Sequence, residues 1–196
     1  MRWLLSVAVA LVVGAVAPVQ ADSLRDAQAA YDRGKYAVAL DLWQPLAEQG
    51  SPDAQAGLGS LYLGGYGVSR DEAAAMVWFR KAAEQGHAGS QFSLASLYYG
   101  RKEYSSAASW YRRASEQGNA LAQIRLARLY AEGLGLARDN VQAFKWFAVA
   151  AARGADSYAR TNAAQGRDAA AMKMTPAQVA EAERLAREWK PKLERQ

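Results

Sequence analysis

The chain contains no cysteine and only one histidine among its 196 residues. Disulfide scaffolds, thiolate zinc sites, iron–sulfur clusters and cysteine nucleophiles all require cysteine, and one histidine cannot build a polyhistidine metal site. β-Branched residues are also scarce, since only six Val, one Ile and two Thr follow residue 21. So few such residues cannot furnish the core of a β-sheet. The 44 alanines instead predict that the chain beyond residue 21 is almost entirely helical.

The first 21 residues have the composition of an export signal. A basic start at Arg2 precedes an apolar stretch at residues 4–16, and Val19 and Ala21 occupy the two positions that a signal peptidase reads. The apolar stretch is shorter than the roughly 20 residues that cross a bilayer, which favours a cleaved signal over a membrane anchor. We predict cleavage after Ala21 and, in a Gram-negative bacterium, a periplasmic protein that meets the membrane only during export.

The charge of the chain is modest and dispersed. Lys and Arg number 24 against 19 Asp and Glu, a formal net charge of +5, and removal of Arg2 with the signal leaves 23 against 19, or +4. The basic residues are scattered along the sequence and form no cluster. We therefore expect no nucleic-acid partner.

The region after the signal repeats itself. Four segments align without gaps and end in glycine at intervals of 36, 32 and 36 residues, namely 39–50, 75–86, 107–118 and 143–154. A second element with the pattern Leu-x-x-Leu-Tyr precedes three of them and ends at Tyr62, Tyr98 and Tyr130. Both elements have apolar residues at helical spacing, so each unit is predicted to be two helices and a turn.

Local signals place the ends of these helices. Asp71 and Asp139 are suited to N-cap the second helices of two units. The closing glycines are suited to a left-handed C-cap, and they are Gly50, Gly86, Gly118 and Gly154. Pro45 lies inside the second helix of the first unit, where we expect a kink. Because one helix pair cannot bury its apolar face alone, successive pairs are predicted to stack.

The repeat pattern decays after Gly154. Residues 156–168 predict a lone helix of the first type. Thr175, Pro176 and Gln178 then form a capping box that starts an amphipathic helix running to about Trp189. Such a helix closes a solenoid by covering its last repeat with a polar outer face.

The repeated motifs resemble the Sel-one-like repeat (SLR), a relative of the tetratricopeptide repeat. Residues 58–62, 65–71 and 75–86 match its pattern Leu-Gly-x-x-Tyr, Gly-x-Gly-Val-x-x-Asp and Ala-x-x-Trp-Phe-x-x-Ala-Ala-x-x-Gly in full. The fourth unit matches nearly as well, whereas the first and third have shorter connections. The resemblance covers residues 22–154 and implies an all-α fold, a right-handed α/α superhelical solenoid of about four helix–turn–helix repeats with a C-terminal capping helix. The predicted divisions are a signal peptide at 1–21, repeats at 22–50, 51–86, 87–118 and 119–154, and a half repeat with a capping helix at 155–196.

No catalytic motif emerges from the sequence. His87 lies in a turn between units, and we interpret it as a solvated turn residue. Some secreted relatives of the SLR family are described as β-lactamases, but no Ser of this chain is followed three positions later by Lys. The loops at Gly65 and Gly133 lack the Gly-Lys-Ser/Thr ending of a phosphate loop, and Asp71 beside Glu72 is explained as a helix cap. We expect no enzymatic activity, no cofactor and no metal.

The likeness to tetratricopeptide pairs implies that the first helices line a concave groove. Counting from the tyrosine of each first helix places nine side chains there: Arg25, Ser60, Phe92, Ser96, Tyr99, Arg128, Glu132, Arg160 and Arg167. Arginines among aromatics suit a peptide or an acidic segment, because guanidinium groups bind carboxylates bidentately and rings add rigid contact area. The alternative for any one of them is a solvated surface charge, and for Phe92 a core position.

The favoured function is an exported, non-catalytic protein–protein interaction scaffold or regulatory adaptor of the bacterial cell envelope. An envelope glycan-binding or polysaccharide-assembly module is the alternative, which exposed rings at Tyr66, Tyr99 and Tyr104 would support. A β-lactamase-like or cell-wall-modifying enzyme is disfavoured because the required serine and cysteine signatures are missing.

Overall fold

The computed structural model describes residues 16–154 and 157–192, and within them the chain forms ten α-helices and no strand. The helices are α1 (Val16–Asp32), α2 (Tyr36–Glu48), α3 (Pro52–Gly64), α4 (Glu72–Glu84), α5 (Ala88–Gly100), α6 (Tyr104–Glu116), α7 (Ala120–Glu132), α8 (Asn140–Arg153), α9 (Ser157–Ala171) and α10 (Pro176–Glu188). Residues 1–15, which hold most of the predicted export signal, lie outside this range. α1 begins upstream of the predicted cleavage site.

Helices that follow one another in the chain pack together. α1 with α2, α3 with α4, α5 with α6 and α7 with α8 form hairpins, and the second helix of each hairpin packs on the first helix of the next. This nearest-neighbour packing is that of a solenoid. The predicted stack of four helix pairs is confirmed.

The helix caps follow the sequence with one exception. The side chains of Asp71 and Asp139 each accept a hydrogen bond from the backbone N–H three residues later, at 2.9 and 3.0 Å, which confirms both predicted N-caps. Gly50, Gly86 and Gly118 have φ of 96°, 91° and 98°, so the left-handed glycines are confirmed there.

The predicted left-handed cap is wrong at Gly154. This residue has φ −56° and ψ 136°, which is extended backbone. Its carbonyl oxygen accepts a hydrogen bond from Arg160 Nη1 at 2.9 Å, so a side chain of α9 binds the backbone directly after α8. The repeat pattern therefore changes at this residue in the structure as it does in the sequence.

The first helices approach the second helices closely at small residues. A Cβ at Gly57 would lie 2.5 Å from the Trp43 ring, and one at Gly59 would lie 2.7 Å from the Phe79 ring. Trp43 and Phe79 are each 3% exposed. α2 continues through Pro45 to Glu48, so the proline does not end the helix.

The C-terminal helices leave the repeat pattern. α9 packs on α8 and α7, as a further first helix would. α10 starts with the predicted capping box between Thr175 and Gln178, which is confirmed. α10 packs on α8, where Ala182 and Phe144 belong to one buried cluster that the last turn of α9 joins through Ala170.

The chain after α10 returns towards the middle of the solenoid. The ring centroids of Trp189 and Trp146 lie 5.9 Å apart in an edge arrangement. The backbone N–H of Lys192 donates to the carbonyl oxygen of Glu116 at 2.7 Å. The C-terminal segment thus fastens α8 to the end of α6.

Candidate binding surface

A depression lies between α1 and α3 at the N-terminal end of the solenoid, and we call it the α1–α3 pocket. Its volume is 440 Å³. Arg25 and Gln28 come from α1, and Asp53 and Ser60 come from α3. His87, Tyr31, Trp43 and the residues Leu24, Ala56 and Gly57 complete the lining. Hydrogen-bonding groups therefore stand on both walls, with aromatic rings between them.

The pocket depends on Gly57. Because this residue has no side chain, α3 approaches α2 closely enough for its backbone to pack on the Trp43 ring. The adjacent side chains on the same face of α3 are short or polar, with Asp53 four residues before Gly57 and Ser60 three residues after it. The face of α3 towards α1 is left open.

His87 is an N-cap at the edge of this pocket. Its Nδ1 accepts a hydrogen bond from the backbone N–H of Ser90 at 3.0 Å, and its Nε2 lies 3.5 Å from Asp53 Oδ1. Burial lowers the pKa of His87, and the Asp53 carboxylate acts in the opposite direction. His87 lies in the turn between units, as the sequence indicated, but its ring is partly buried and caps the start of α5.

Ser90, His87 and Asp53 lie close together without forming a hydrolytic triad. Ser90 Oγ is 2.8 Å from His87 Nδ1, the same nitrogen that accepts from the Ser90 backbone. Ser90 is 1% exposed. A nucleophile has to reach a substrate carbonyl, and this hydroxyl is enclosed by its own helix end. The arrangement is that of a helix cap.

The predicted groove residues of α5 are partly buried and packed. Ser96 Oγ donates to the Phe92 carbonyl oxygen at 2.9 Å and lies 3.0 Å from the Tyr111 hydroxyl. The Phe92 ring packs on Tyr111 with centroids 5.8 Å apart. Tyr99 meets Tyr104 at 5.3 Å. These aromatic rings join the two helices of the third unit, and Phe92 packs against the core, which is the alternative considered for it.

The predicted residues of α7 are exposed. Arg128 lines a shallow depression of 120 Å³ together with Leu121 and Arg125 of α7 and Asn162 of α9. Glu132 is exposed in the last turn of the same helix. Leu121, Arg125, Arg128 and Glu132 follow one another at spacings of four, three and four residues, so they lie on one face.

Arg160 and Arg167 do not line the depression that contains Arg128. Both line a second depression whose base is formed by Ala148 and Ala152 of α8. Their assignment to the same groove as Arg128 is therefore corrected. The assignment extended the tyrosine register into α9, but the buried positions of α9 are Ala159, Ala163 and Ala170, and Gly166 packs on Phe147.

The tyrosines considered for glycan binding pack against neighbouring rings. Tyr66 stacks on Tyr36 with centroids 4.7 Å apart, and Tyr99 and Tyr104 are both half-buried. Tyr31 completes the cluster, 5.4 Å from Tyr36, and burial raises its pKa. Of the three predicted rings, Tyr66 remains substantially exposed, at 41%.

Sequence reasoning missed three polar residues of the α1–α3 pocket: Gln28, Asp53 and His87. Gln28 lies three residues after Arg25, on the same face of α1, and Asp53 lies seven residues before Ser60 on α3. This spacing was a readable signal. The position of His87 against Asp53 depends on how two units stack. A pattern of residues within one unit does not predict that stacking.

In residues 16–154 and 157–192, no group of three or more His, Cys, Asp or Glu side chains is arranged to hold a metal ion. None of the helices described is both long enough and apolar enough to span a bilayer.

The model of the Sel1 repeat matches three consecutive stretches of the chain, residues 52–87, 88–119 and 120–154. The chain belongs to the Sel1 repeat family. The resemblance to the SLR pattern is confirmed. The first unit lies outside the matched stretches, although α1 and α2 form a hairpin of the same kind.

A solved structure of a Sel1 repeat protein has the same fold. A Sel1 repeat protein from Oxalobacter formigenes is 27% identical, with a TM-score of 0.69, over 92% of this chain and 77% of that one. A second structure, c5321, is described as a protective antigen present in uropathogenic Escherichia coli strains displaying an SLR fold. It is 27% identical over 87% of this chain with a TM-score of 0.49, and the match spans 45% of c5321.

No curated protein matches this sequence. Sel1 repeat proteins are typically non-catalytic scaffolds, and the repeats generally mediate protein–protein interaction. The fold of this chain is compatible with such a module.

Proposed function

We propose that the chain is an exported, non-catalytic scaffold or regulatory adaptor of the bacterial cell envelope that binds a segment of a partner protein along its first helices. The observation that carries the proposal is the α1–α3 pocket, with hydrogen-bonding groups on both walls and aromatic rings between them. Membership of the Sel1 repeat family supports the choice of a protein partner.

The pocket suits one anchoring side chain of an extended or helical segment. Arg25 and Gln28 offer donors on one wall, and Asp53 offers a carboxylate acceptor on the other. Further along, the accessible face of α5 is lined by small residues, Gly89, Ser93 and Ser96, which leave room for a bound chain. Arg125 and Arg128 on α7 provide guanidinium groups for carboxylates at the far end.

Site-specific photo-crosslinking tests the location of the partner. A benzoylphenylalanine at Ser60 stands in the α1–α3 pocket, and one at Val77 stands on α4, where the native side chain is 54% exposed. We expect irradiation of cells to yield a discrete protein adduct from position 60 and none from position 77. The same adduct from both positions, or an adduct from position 77 alone, would contradict the proposal.

Two further measurements address export and glycans. N-terminal sequencing of protein from a periplasmic extract should begin at Asp22, and a cytosolic chain that retains Met1 would contradict export. Purified protein should stay in the supernatant when insoluble cell-wall glycan is sedimented. Retention in the pellet would instead support the glycan-binding alternative.

A further inference from the structure

Two adjoining depressions lie over α8, and we call them together the α8 cleft. The first, of 360 Å³, is lined by Ala148, Val149, Ala152, Arg167, Glu183 and Arg187, among others. The second, of 410 Å³, is lined by Ala148, Ala152, Arg160 and Arg167, among others. The two share Ala148, Ala152 and Arg167. The cleft is therefore one surface with an α8 floor and walls from α9 and α10.

The floor of the cleft departs from the repeat. The positions of α8 occupied by Ala148, Val149 and Ala152 are charged in the two preceding units, where they are Arg80, Lys81 and Glu84, then Arg112, Arg113 and Glu116. Arg80 and Arg112 each donate to a tyrosine hydroxyl of the following unit. α8 has instead an apolar strip, of which Val149 is 3% exposed while Ala152 is exposed. α10 covers this strip incompletely.

The opening exists because α9 and α10 do not form a regular pair. In each of the four hairpins the second helix packs along the first. α10 packs on α8 instead and meets the last turn of α9 near Ala170. The rest of α9 and α10 therefore stand apart on either side of Ala148 and Ala152.

The walls of the cleft are strongly basic. Among the described residues, Glu183 is the one carboxylate that lines it. Four arginines line it as well: Arg153, Arg160, Arg167 and Arg187. Arg187 Nη1 lies 3.4 Å from Glu183, and Arg167 Nη2 lies 2.7 Å from the neighbouring Asp168. The excess of guanidinium groups gives the cleft a positive field.

Two of the four arginines are held in place by contacts that leave donors to spare. Arg160 uses Nη1 on the carbonyl oxygen of Gly154, and Arg153 lies over the Trp189 ring, 5.0 Å from its centroid. A guanidinium group carries five N–H donors, so one such contact fixes its position and leaves other donors available for a ligand. Groups fixed in this way lose less conformational entropy on binding a carboxylate.

We propose that the α8 cleft is a second binding site, separate from the first helices, for an acidic peptide segment of a partner protein. Carboxylates of the segment pair with Arg160, Arg167 and Arg187, and its small apolar side chains pack on Ala148 and Ala152. Charge complementarity selects an acidic occupant, and the apolar floor selects a peptide over a simple anion. The proposal does not depend on the α1–α3 pocket.

Fluorescence anisotropy with defined peptides tests the proposal on the whole purified chain. One fluorescein-labelled peptide contains Glu, Ala and Leu in alternation, and its matched partner has Gln in place of every Glu. We expect saturable binding of the Glu peptide at low salt and binding of the Gln peptide weaker by about tenfold or more. Equal binding of the two peptides, or no binding at millimolar protein, would overturn the proposal.

Two variants locate the site, and each has a control. Ala152→Glu places on the floor the residue that Glu84 and Glu116 provide in other units, so α8 tolerates it, and its carboxylate competes for the arginines. We expect affinity for the Glu peptide to fall about tenfold, whereas Ala152→Gln should change it little. Arg167→Glu should act in the same direction as Ala152→Glu.

Arg33→Glu reverses one charge of the same kind at an exposed position outside the cleft and should leave the affinity within about twofold of wild type. A loss with Arg33→Glu equal to that with Arg167→Glu, at unchanged circular dichroism, would place the binding elsewhere. Inorganic phosphate could also be added at a concentration that supplies the same total negative charge as the peptide. Displacement of the peptide under these conditions would show a general anion site and would also overturn the proposal.

Discussion

Glycine lies opposite the buried aromatic ring at several junctions of the solenoid. Trp43 lies against Gly57, Phe79 against Gly59, and Phe147 against Gly166, where an added Cβ would be 2.5 Å from the ring. Protein interiors are close-packed, so a ring of this size and a methyl group cannot share the space. The absence of a side chain at these positions sets the distance between the helices.

Gly57→Ala should destabilise the protein. The new methyl group would lie 2.5 Å from the Trp43 ring, which is 3% exposed and has to move, so we expect a loss of about 1–3 kcal/mol. Urea denaturation followed by tryptophan fluorescence measures it. Gly100→Ala, at a helix position with no atom within 4 Å, is the control and should be neutral or slightly stabilising. Equal effects of the two substitutions would contradict close packing at Gly57.

His87 should make stability depend on pH. Burial lowers its pKa in the folded state, so the folded protein binds the proton less readily than the unfolded chain does. Stability is then fully present above the ordinary pKa of about 6.5 and falls as the pH drops towards the lowered value.

The replacement His87→Asn isolates this contribution. Asn119 caps α7 at the equivalent position, so asparagine preserves the N-cap. Denaturation at pH 8 and pH 5.5 should show a smaller loss of stability in the variant than in the wild type. An identical loss in both proteins would show that other groups carry the pH dependence.

At the level of helices, a glutamine fastens each unit to the end of the preceding second helix. Gln55, Gln91 and Gln123 are buried, and each side-chain Nε2 donates at 3.1 Å to a carbonyl oxygen eight residues earlier. Gln85 and Gln117 then donate to the side-chain oxygens of Gln55 and Gln91, both at 2.8 Å. The orphan carbonyl groups at a helix end are thereby paired.

This set of glutamine hydrogen bonds is incomplete in the fourth unit. The residue equivalent to Gln85 and Gln117 is Arg153, which lies over the Trp189 ring. Within residues 16–154 and 157–192, Gln123 Oε1 has no hydrogen-bond partner. A buried acceptor without a donor is costly, so this junction is weaker than the two before it.

Gln91→Leu should therefore cost more than Gln123→Leu. The first change leaves Gln117 Nε2 without one of its acceptors, whereas the second also removes an oxygen that was already unpaired. We expect a difference of about 1 kcal/mol in the free energy of unfolding, measured by chemical denaturation. A larger cost at Gln123 would mean that its oxygen has a partner in solution.

The sequence predicted the helices well, and it predicted that the last helix covers the last repeat, but not how much of α8 that helix covers. The capping box of α10 was readable because a cap is a contact between residues three apart. The apolar strip of Ala148, Val149 and Ala152, where the second and third units are charged, was the available signal that something covers α8. It could not say that α10 leaves part of the strip open.

In the whole molecule, the described residues form three buried clusters along the solenoid. The N-terminal cluster includes Trp43 and Leu58, the central one includes Phe79 and Tyr111, and the C-terminal one joins Phe144 to Ala182. A stack of units with nearest-neighbour contacts can open locally, so stability is not shared equally along the chain.

Phe144→Ala should loosen the C-terminal end alone. Phe144 is 5% exposed and packs in the buried cluster that includes Ala182 of α10. The change should therefore lower the free energy of unfolding by about 3–5 kcal/mol. Hydrogen exchange should become faster in α10 and change little in α3. Leu58→Ala is the matching control in the N-terminal cluster and should speed hydrogen exchange in α3 rather than in α10. Uniform acceleration by either variant would show a single cooperative unit.

The sequence by itself determined the all-helical fold, the repeat and the N-caps Asp71, Asp139 and Thr175, because these depend on residues within one or two turns of each other. Tertiary structure alone decided which side chains meet: His87 against Asp53, Phe92 against Tyr111, and Arg160 with Arg167 over α8 rather than beside Arg128. The physical reason is register. In α9 the described buried residues are alanines, Gly166 packs on Phe147, and the Leu-x-x-Leu-Tyr pattern that sets the register of earlier first helices is not repeated.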